Sequence, residues 1–168
     1  MAGQVKPEGK RGLILLVSNP NSASYAVEYH FVQKGTLETV WLLPSSDDES
    51  GRFGRSTRGT AEEIRAACEA LAQAQHRPLQ VYILRGVSPG DAQDTFDAVQ
   101  QIFRRSAYEP GEIVMDFTGG TKPMSVGAIM ACLPAERQLQ YVPLNRVTGQ
   151  SDGPFLVDYQ YSAFDLLA

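Results

Sequence analysis

Val114-Met115-Asp116-Phe117-Thr118-Gly119-Gly120-Thr121-Lys122-Pro123-Met124 starts as a buried strand, runs into two consecutive glycines and restarts as an apolar helix through Leu133. Two glycines let the backbone turn sharply and approach a ligand closely, because neither carries a Cβ. Thr121 stands where a helix N-cap belongs, and Pro123 suits the first helical turn, where a missing N–H costs little. Unpaired N–H groups and the positive end of the helix dipole then point at the loop, and Lys122 adds a full positive charge. Such a junction holds an anion, most often a phosphate. Each piece alone reads better as a capping turn with an incidental lysine. Only the whole string at one strand-to-helix junction favours the anion. It is not a Walker A loop, because the glycines are adjacent and no Ser or Thr follows Lys122. No G-x-G-x-x-G follows a strand either, so the dinucleotide fingerprint is absent.

The chain around this junction has 168 residues, enough for one domain with a sizeable core. At 43% hydrophobic and 20% charged residues it falls in the range of ordinary globular domains. A net charge of −4 means that global attraction does not recruit nucleic acid, so DNA is not expected as a partner and anion binding must come from local geometry. No apolar run has the length of a membrane span, and the N-terminus is polar and basic, unlike a signal peptide. Cys68 and Cys132 fall on apolar helix faces and read as core packing in a reducing cytoplasm. The two histidines, His30 and His76, are far apart and read as structural or solvated, so neither a Cys/His metal site nor a cofactor is expected.

Residues 1–11 read as a flexible, polar lead-in, and residues 12–168 as a single domain. Leu13–Val17 is a continuous apolar run, the mark of a strand buried on both faces. A helix is expected over Ser22–Gln33, a second strand over Leu37–Leu43, and a long polar loop over Pro44–Gly59. A capping box from Thr60 to Glu63 opens the next helix, which buries Ile64, Ala67, Cys68 and Leu71. Leu79–Leu84 is the third strand. Ser88-Pro89-Gly90-Asp91 starts a helix with Phe96, Val99 and Phe103 on its buried stripe. Glu112–Phe117, Leu139–Leu144 and Phe155–Tyr161 complete a set of about six strands. Trp41 reads as core. Strand–helix alternation with apolar strands predicts an α/β domain, a Rossmann-like three-layer sandwich around a mostly parallel sheet. Such sheets bind ligands beyond the carboxyl ends of the strands, where strand order reverses. With strand one beside strand four, the loops Ser18–Ser22 and Thr118–Lys122 face each other across one crevice.

Asp116-Phe117-Thr118-Gly119-Gly120-Thr121-Lys122-Pro123-Met124 resembles the D-x-[TS]-G-G-T-K-x-M signature of CARF domains, the CRISPR-associated Rossmann-fold domains of type III CRISPR systems. Leu15-Leu16-Val17-Ser18-Asn19-Pro20-Asn21 is similar to the more variable first ligand-binding loop of that family. The resemblance follows the order of elements along the whole chain, and its specific part is the one junction. It implies a homodimer that binds a cyclic oligoadenylate across its two-fold axis, in antiviral signalling. Ser18, Asn19 and Asn21 would then contact base or ribose. Thr118, Gly119, Gly120, Thr121 and Lys122 would cradle phosphates. Arg85 after strand three and Arg146 after strand five are further ligand candidates on the same edge. Arg52, Arg55 and Arg58 on the long loop are weaker ones, since Asp47, Asp48 and Glu49 offset them.

CARF proteins usually fuse the sensor to an effector, but the chain has neither an R-x4–6-H ribonuclease motif nor a D…E-x-K nuclease core. Three readings stay open. The chain is a stand-alone sensor or sink, preferring cyclic tetra-adenylate over hexa-adenylate; or a ring nuclease; or a sensor separated from a partner or a membrane segment, with Phe164–Ala168 beginning a further helix. A nucleotide-dependent enzyme on the same fold is the alternative from another class. A ring nuclease would need no metal, because the 2′-hydroxyl of RNA supplies the nucleophile. Lys122 and Thr121 would then be the catalytic residues, and phosphodiester cleavage the reaction.

Overall fold

Five consecutive apolar side chains can be buried only by covering both faces of a strand, and Gly12–Leu16 (β1) lies buried at the centre of the sheet. The computed structural model describes residues 4–158. β1 pairs in parallel with Thr39–Leu43 (β2) on one side and Ile113–Asp116 (β4) on the other. Gln80–Ile83 (β3) and Gln138–Tyr141 (β5) extend the sheet in parallel, and Phe155–Val157 (β6) closes it antiparallel to β5. The order β3-β2-β1-β4-β5-β6 reverses between β1 and β4, as expected from the alternation.

Side chains alternate between the two faces along each strand. Leu13, Leu15, Val17 and Leu42 pack on one face under Pro20–Glu28 (α1) and Arg58–Ala74 (α2), with Ala26, Val27, Ile64 and Cys68. Ile14, Leu16, Leu43 and Met115 pack on the other under Ala92–Arg105 (α3) and Lys122–Ala131 (α4), with Val99, Phe103, Met124 and Ala128. The result is the three-layer α/β sandwich. Both cysteines are buried and unpaired, and burial pushes each thiol up to about 12. Among the described residues no helix is long and apolar enough to cross a membrane.

Several element starts differ from the sequence reading, because side-chain hydrogen bonds outside the expected caps decide them. α1 begins at Pro20, not Ser22, because Asn19 caps it by accepting from the Asn21 N–H at 2.8 Å. The Thr60–Glu63 capping box does not form. α2 already begins at Arg58, and Thr57 at its N-cap instead uses its hydroxyl on Ser45, accepting from the Ser45 N–H at 2.8 Å. α3 begins at Ala92 with Asp91 as cap, while the Ser88 N–H donates to Asp94 at 2.7 Å. Trp41 is half-buried rather than core. The lead-in is tied down from Val5: its carbonyl accepts from the Leu156 N–H at 2.7 Å, and the Tyr29 hydroxyl donates to the Pro7 carbonyl at 2.6 Å. The continuation of β6 to Tyr161 and the segment Phe164–Ala168 lie outside the described residues.

α3 and α4 cross closely at Gly127. A Cβ there would lie 2.2 Å from the Ala92 carbonyl oxygen and 2.9 Å from the Thr95 Cβ. Backbone cannot retreat as a side-chain tip can. Gly127→Ala gains about 1 kcal/mol of helix propensity, yet overpacking of this kind costs about 1–3 kcal/mol. The variant should therefore be no more stable than the parent and up to about 2 kcal/mol less stable in urea unfolding. A clear stabilisation would show that the crossing is loose.

Candidate functional site

The two loops singled out in the sequence meet at the point where strand order reverses. A Cβ on Gly119 would stand 2.3 Å from the Leu16 carbonyl oxygen and 3.1 Å from the Ser18 nitrogen. The β4–α4 loop thus lies directly against the end of β1, at a distance only glycine permits. Gly120 follows with φ +80, in the left-handed region that also favours glycine. Thr121 caps α4, its hydroxyl accepting from the Met124 N–H at 3.3 Å and donating to the Pro89 carbonyl. The N–H groups of Gly119, Gly120, Thr121 and Lys122 have no hydrogen-bond partner among the described residues. Lys122 is exposed on the first turn of α4 and has no ion pair among them. α1 starts at the same strand ends from the opposite face, so two helix N-termini converge there. The arrangement suits an anion on physical grounds.

The remaining candidates divide. Ser18, Asn19 and Asn21 are exposed at this edge; the Asn19 side-chain oxygen is occupied as the α1 cap. Asn21 lines a cleft of about 350 Å³ with Tyr25 and Gly149, so the turn carrying exposed Arg146 lies beside it. The Thr118 hydroxyl accepts from the Val142 N–H at 2.8 Å and fixes the loop to the residue after β5. Arg85 differs from the expectation of a free cation. Its guanidinium is held by Asp94 at 2.7 Å and lines another cavity, beside Trp41. On the long loop, Asp47 and Asp48 accept from backbone N–H groups of Ser56, Ser50 and Phe53, so they do not neutralise Arg52, Arg55 or Arg58 by pairing. Among the described residues, no three His, Cys, Asp or Glu side chains come together in a way that could hold a metal ion.

Beneath the loop runs a buried polar relay that sequence reading missed. The Lys10 N–H donates to His30 Nδ1 at 3.2 Å, so the neutral ring carries its proton on Nε2 and donates to Gln140 Oε1 at 2.8 Å. Gln140 Nε2 donates to Asp116 Oδ2 at 2.8 Å, and Asp116 Oδ1 accepts from the Thr118 N–H at 3.0 Å. All three side chains are at most 2% exposed. Burial pushes the Asp116 carboxyl up, while the Thr118 and Gln140 donors pull it back. Burial lowers His30 from its ordinary 6.5 to about 4. The one sequence signal was polar Gln140 within an otherwise apolar run; His30 gave none, since it enters from the π-helical turn Tyr29–Gln33 after α1.

No family model matches this chain, and neither does any curated protein. Among solved structures, it is similar to Can2 from Sulfobacillus thermosulfidooxidans in complex with cyclic tetra-adenylate. Identity is 19% and the TM-score 0.57, over 84% of this chain and 36% of Can2. The chain therefore spans about a third of Can2, and the likeness shows a shared fold. A type III CRISPR defence DNA nuclease activated by cyclic oligoadenylate aligns at 20% identity over 83% of this chain and 20% of its own. Its TM-score of 0.46 is too low to carry an argument.

The relay makes acid stability testable. Because His30 in the folded protein titrates at about 4 and the unfolded ring near 6.5, the unfolded state binds more protons in between. Stability is therefore full above pH 6.5 and falls as pH drops towards 4, by up to about 3 kcal/mol. Asp116, raised, acts in the opposite sense, so the comparison is made against a variant. Urea unfolding of His30→Gln should show a loss between pH 7 and pH 4.5 smaller by about 1–3 kcal/mol. An unchanged difference would mean that His30 is protonated in the fold.

Proposed function

We propose that this chain is a CARF-type sensor that binds a cyclic oligoadenylate, preferring cyclic tetra-adenylate, across a homodimer in type III CRISPR signalling. The observation that carries the reading is the run of four free N–H groups over Gly119–Lys122, joined to an uncompensated lysine and packed against the end of β1. Phosphodiesters are the anions that such a loop suits. The motif resemblance and the fold shared with Can2, whose structure holds cyclic tetra-adenylate, both support it. Ser18 and Asn21 offer hydroxyl and amide groups of the kind that read adenine edges and 2′-hydroxyls. One loop pair offers half a site, and an isologous dimer presents it twice to a ring of two-fold symmetry.

Binding is favoured over cleavage because the Thr121 hydroxyl already donates to Pro89, and Asp116 and His30 are sealed below the loop. Incubation with labelled cyclic tetra- and hexa-adenylate, with and without EDTA, tests both. Intact ligand at enzyme excess supports a sensor or sink; EDTA-insensitive conversion to 2′,3′-cyclic phosphate ends would make it a ring nuclease.

Two outcomes follow for binding. A charge-assisted phosphate contact contributes about 1.5–3 kcal/mol, so Lys122→Ala should weaken cyclic tetra-adenylate about ten- to a hundredfold in calorimetry with stability unchanged. Equal affinity would remove Lys122 from the site. Light scattering should give a dimer with ligand, and a monomer at every concentration with and without ligand would count against the two-fold site.

A further inference from the structure

A cavity of about 560 Å³ lies away from the glycine loop, on the α3 side of the sheet. α3, packed against α4 at Gly127, walls this cavity on one side. Thr39, Trp41 and Leu43 on β2, Gln80 and Tyr82 on β3 and Leu84 just after it all line this groove, as a period of two requires. The far wall is a stripe of α3 ending in Arg105, and Tyr108 closes one end.

The groove is fixed and chemically mixed, unlike a gap in packing. Tyr108 stands edge-on to Trp41, with ring centroids 6.0 Å apart. The Tyr108 hydroxyl lies 2.8 Å from Thr39 Oγ1 and 3.1 Å from Glu38. The Trp41 ring is seated over Gly12, where a Cβ would come within 2.8 Å of it. Tyr82, in mid-strand, remains 48% exposed. At the rim, Arg85 is neutralised by Asp94, whereas Arg105 has no ion pair among the described residues. Gln80 and Gln101 add amides that can donate or accept. Three aromatic rings and one uncompensated guanidinium select a flat aromatic molecule with one anionic group.

We propose that this groove is a second ligand site, independent of the glycine loop, for a planar aromatic monoanion lying against Trp41 and Tyr82 with its charge on Arg105. Trp41 is the chain's single tryptophan, so its emission reports the groove. The probes are 1-anilinonaphthalene-8-sulfonate and its uncharged relative N-phenyl-1-naphthylamine, followed by energy transfer from Trp41. The sulfonate should bind saturably, about tenfold tighter than the neutral dye. Arg105→Ala, on the exposed face, should abolish that preference, and Tyr82→Ala should weaken both dyes. Absence of saturable transfer, equal affinity of the two dyes for the parent protein, or an unchanged preference in Arg105→Ala would each overturn the proposal. So would sedimentation showing that Trp41 is hidden in a dimer without dye, which would give the groove to a second copy.

Discussion

The contact of Gly119 with the Leu16 carbonyl is the constraint on which the site depends. Two parallel strands pair side by side, but the loops leaving them go to helices on opposite faces. They can touch only if one gives up its side chain at the crossing, and a Cβ at Gly119 would leave 2.3 Å to a carbonyl oxygen. That single absence lets the β4–α4 loop sit against β1 and leaves its N–H groups without partners among the described residues. It also explains why the second glycine is needed. The chain must turn back into α4 through φ +80 without a side-chain penalty.

A loop with unpaired donors is costly to hold in place, and the relay below it supplies the rigidity. Asp116 takes the Thr118 N–H, Thr118 takes the Val142 N–H, and Thr121 donates to Pro89, so two strand ends and the β3–α3 turn grip the loop. A half-satisfied buried network would destabilise the core, but each polar group from Lys10 to Thr118 finds its complement. The proton order along the relay, from His30 through Gln140 to the carboxylate, is fixed by the Lys10 N–H at its start. The lead-in thereby contributes to a site at the opposite end of the strands.

Legibility in the sequence follows the range of the interactions involved. The continuous apolar run Leu13–Val17 and the strand-glycine-helix string are local patterns, and the sheet order, both helical layers and the meeting of the two loops follow from them. Cap positions were less legible, because Thr57, Asn19 and Asp91 compete with neighbours of equal propensity and tertiary partners decide. Ser45, for example, takes the Thr57 hydroxyl. The relay was illegible, since His30 and Gln140 are 110 residues apart and neither belongs to a motif. The pairing of Arg85 was illegible for a related reason: whether an acid from the next helix reaches a cation at a strand end is decided by tertiary structure, and Asp94 does reach it.

Charge gives the last constraint. At −4 overall the protein exerts no net attraction on polyanions, and beyond a screening length of about 8 Å in physiological salt its field is largely damped. Any anion held at the glycine loop must therefore be held by short contacts. The long loop after β2 adds little net charge of its own, because Asp47, Asp48 and Glu49 balance Arg52, Arg55 and Arg58, although Asp47 and Asp48 are turned onto backbone N–H groups rather than paired with the arginines. Phe53 carries that loop onto Gly90, where a Cβ would meet its ring at 2.9 Å, next to the Pro89 carbonyl that accepts from Thr121. Neighbouring strands are about 4.8 Å apart, which puts the end of β2 roughly 10 Å from that of β4. Discrimination among anions at this edge would therefore rest on fit to Lys122 and the N–H groups of Gly119–Lys122 rather than on charge acting at a distance.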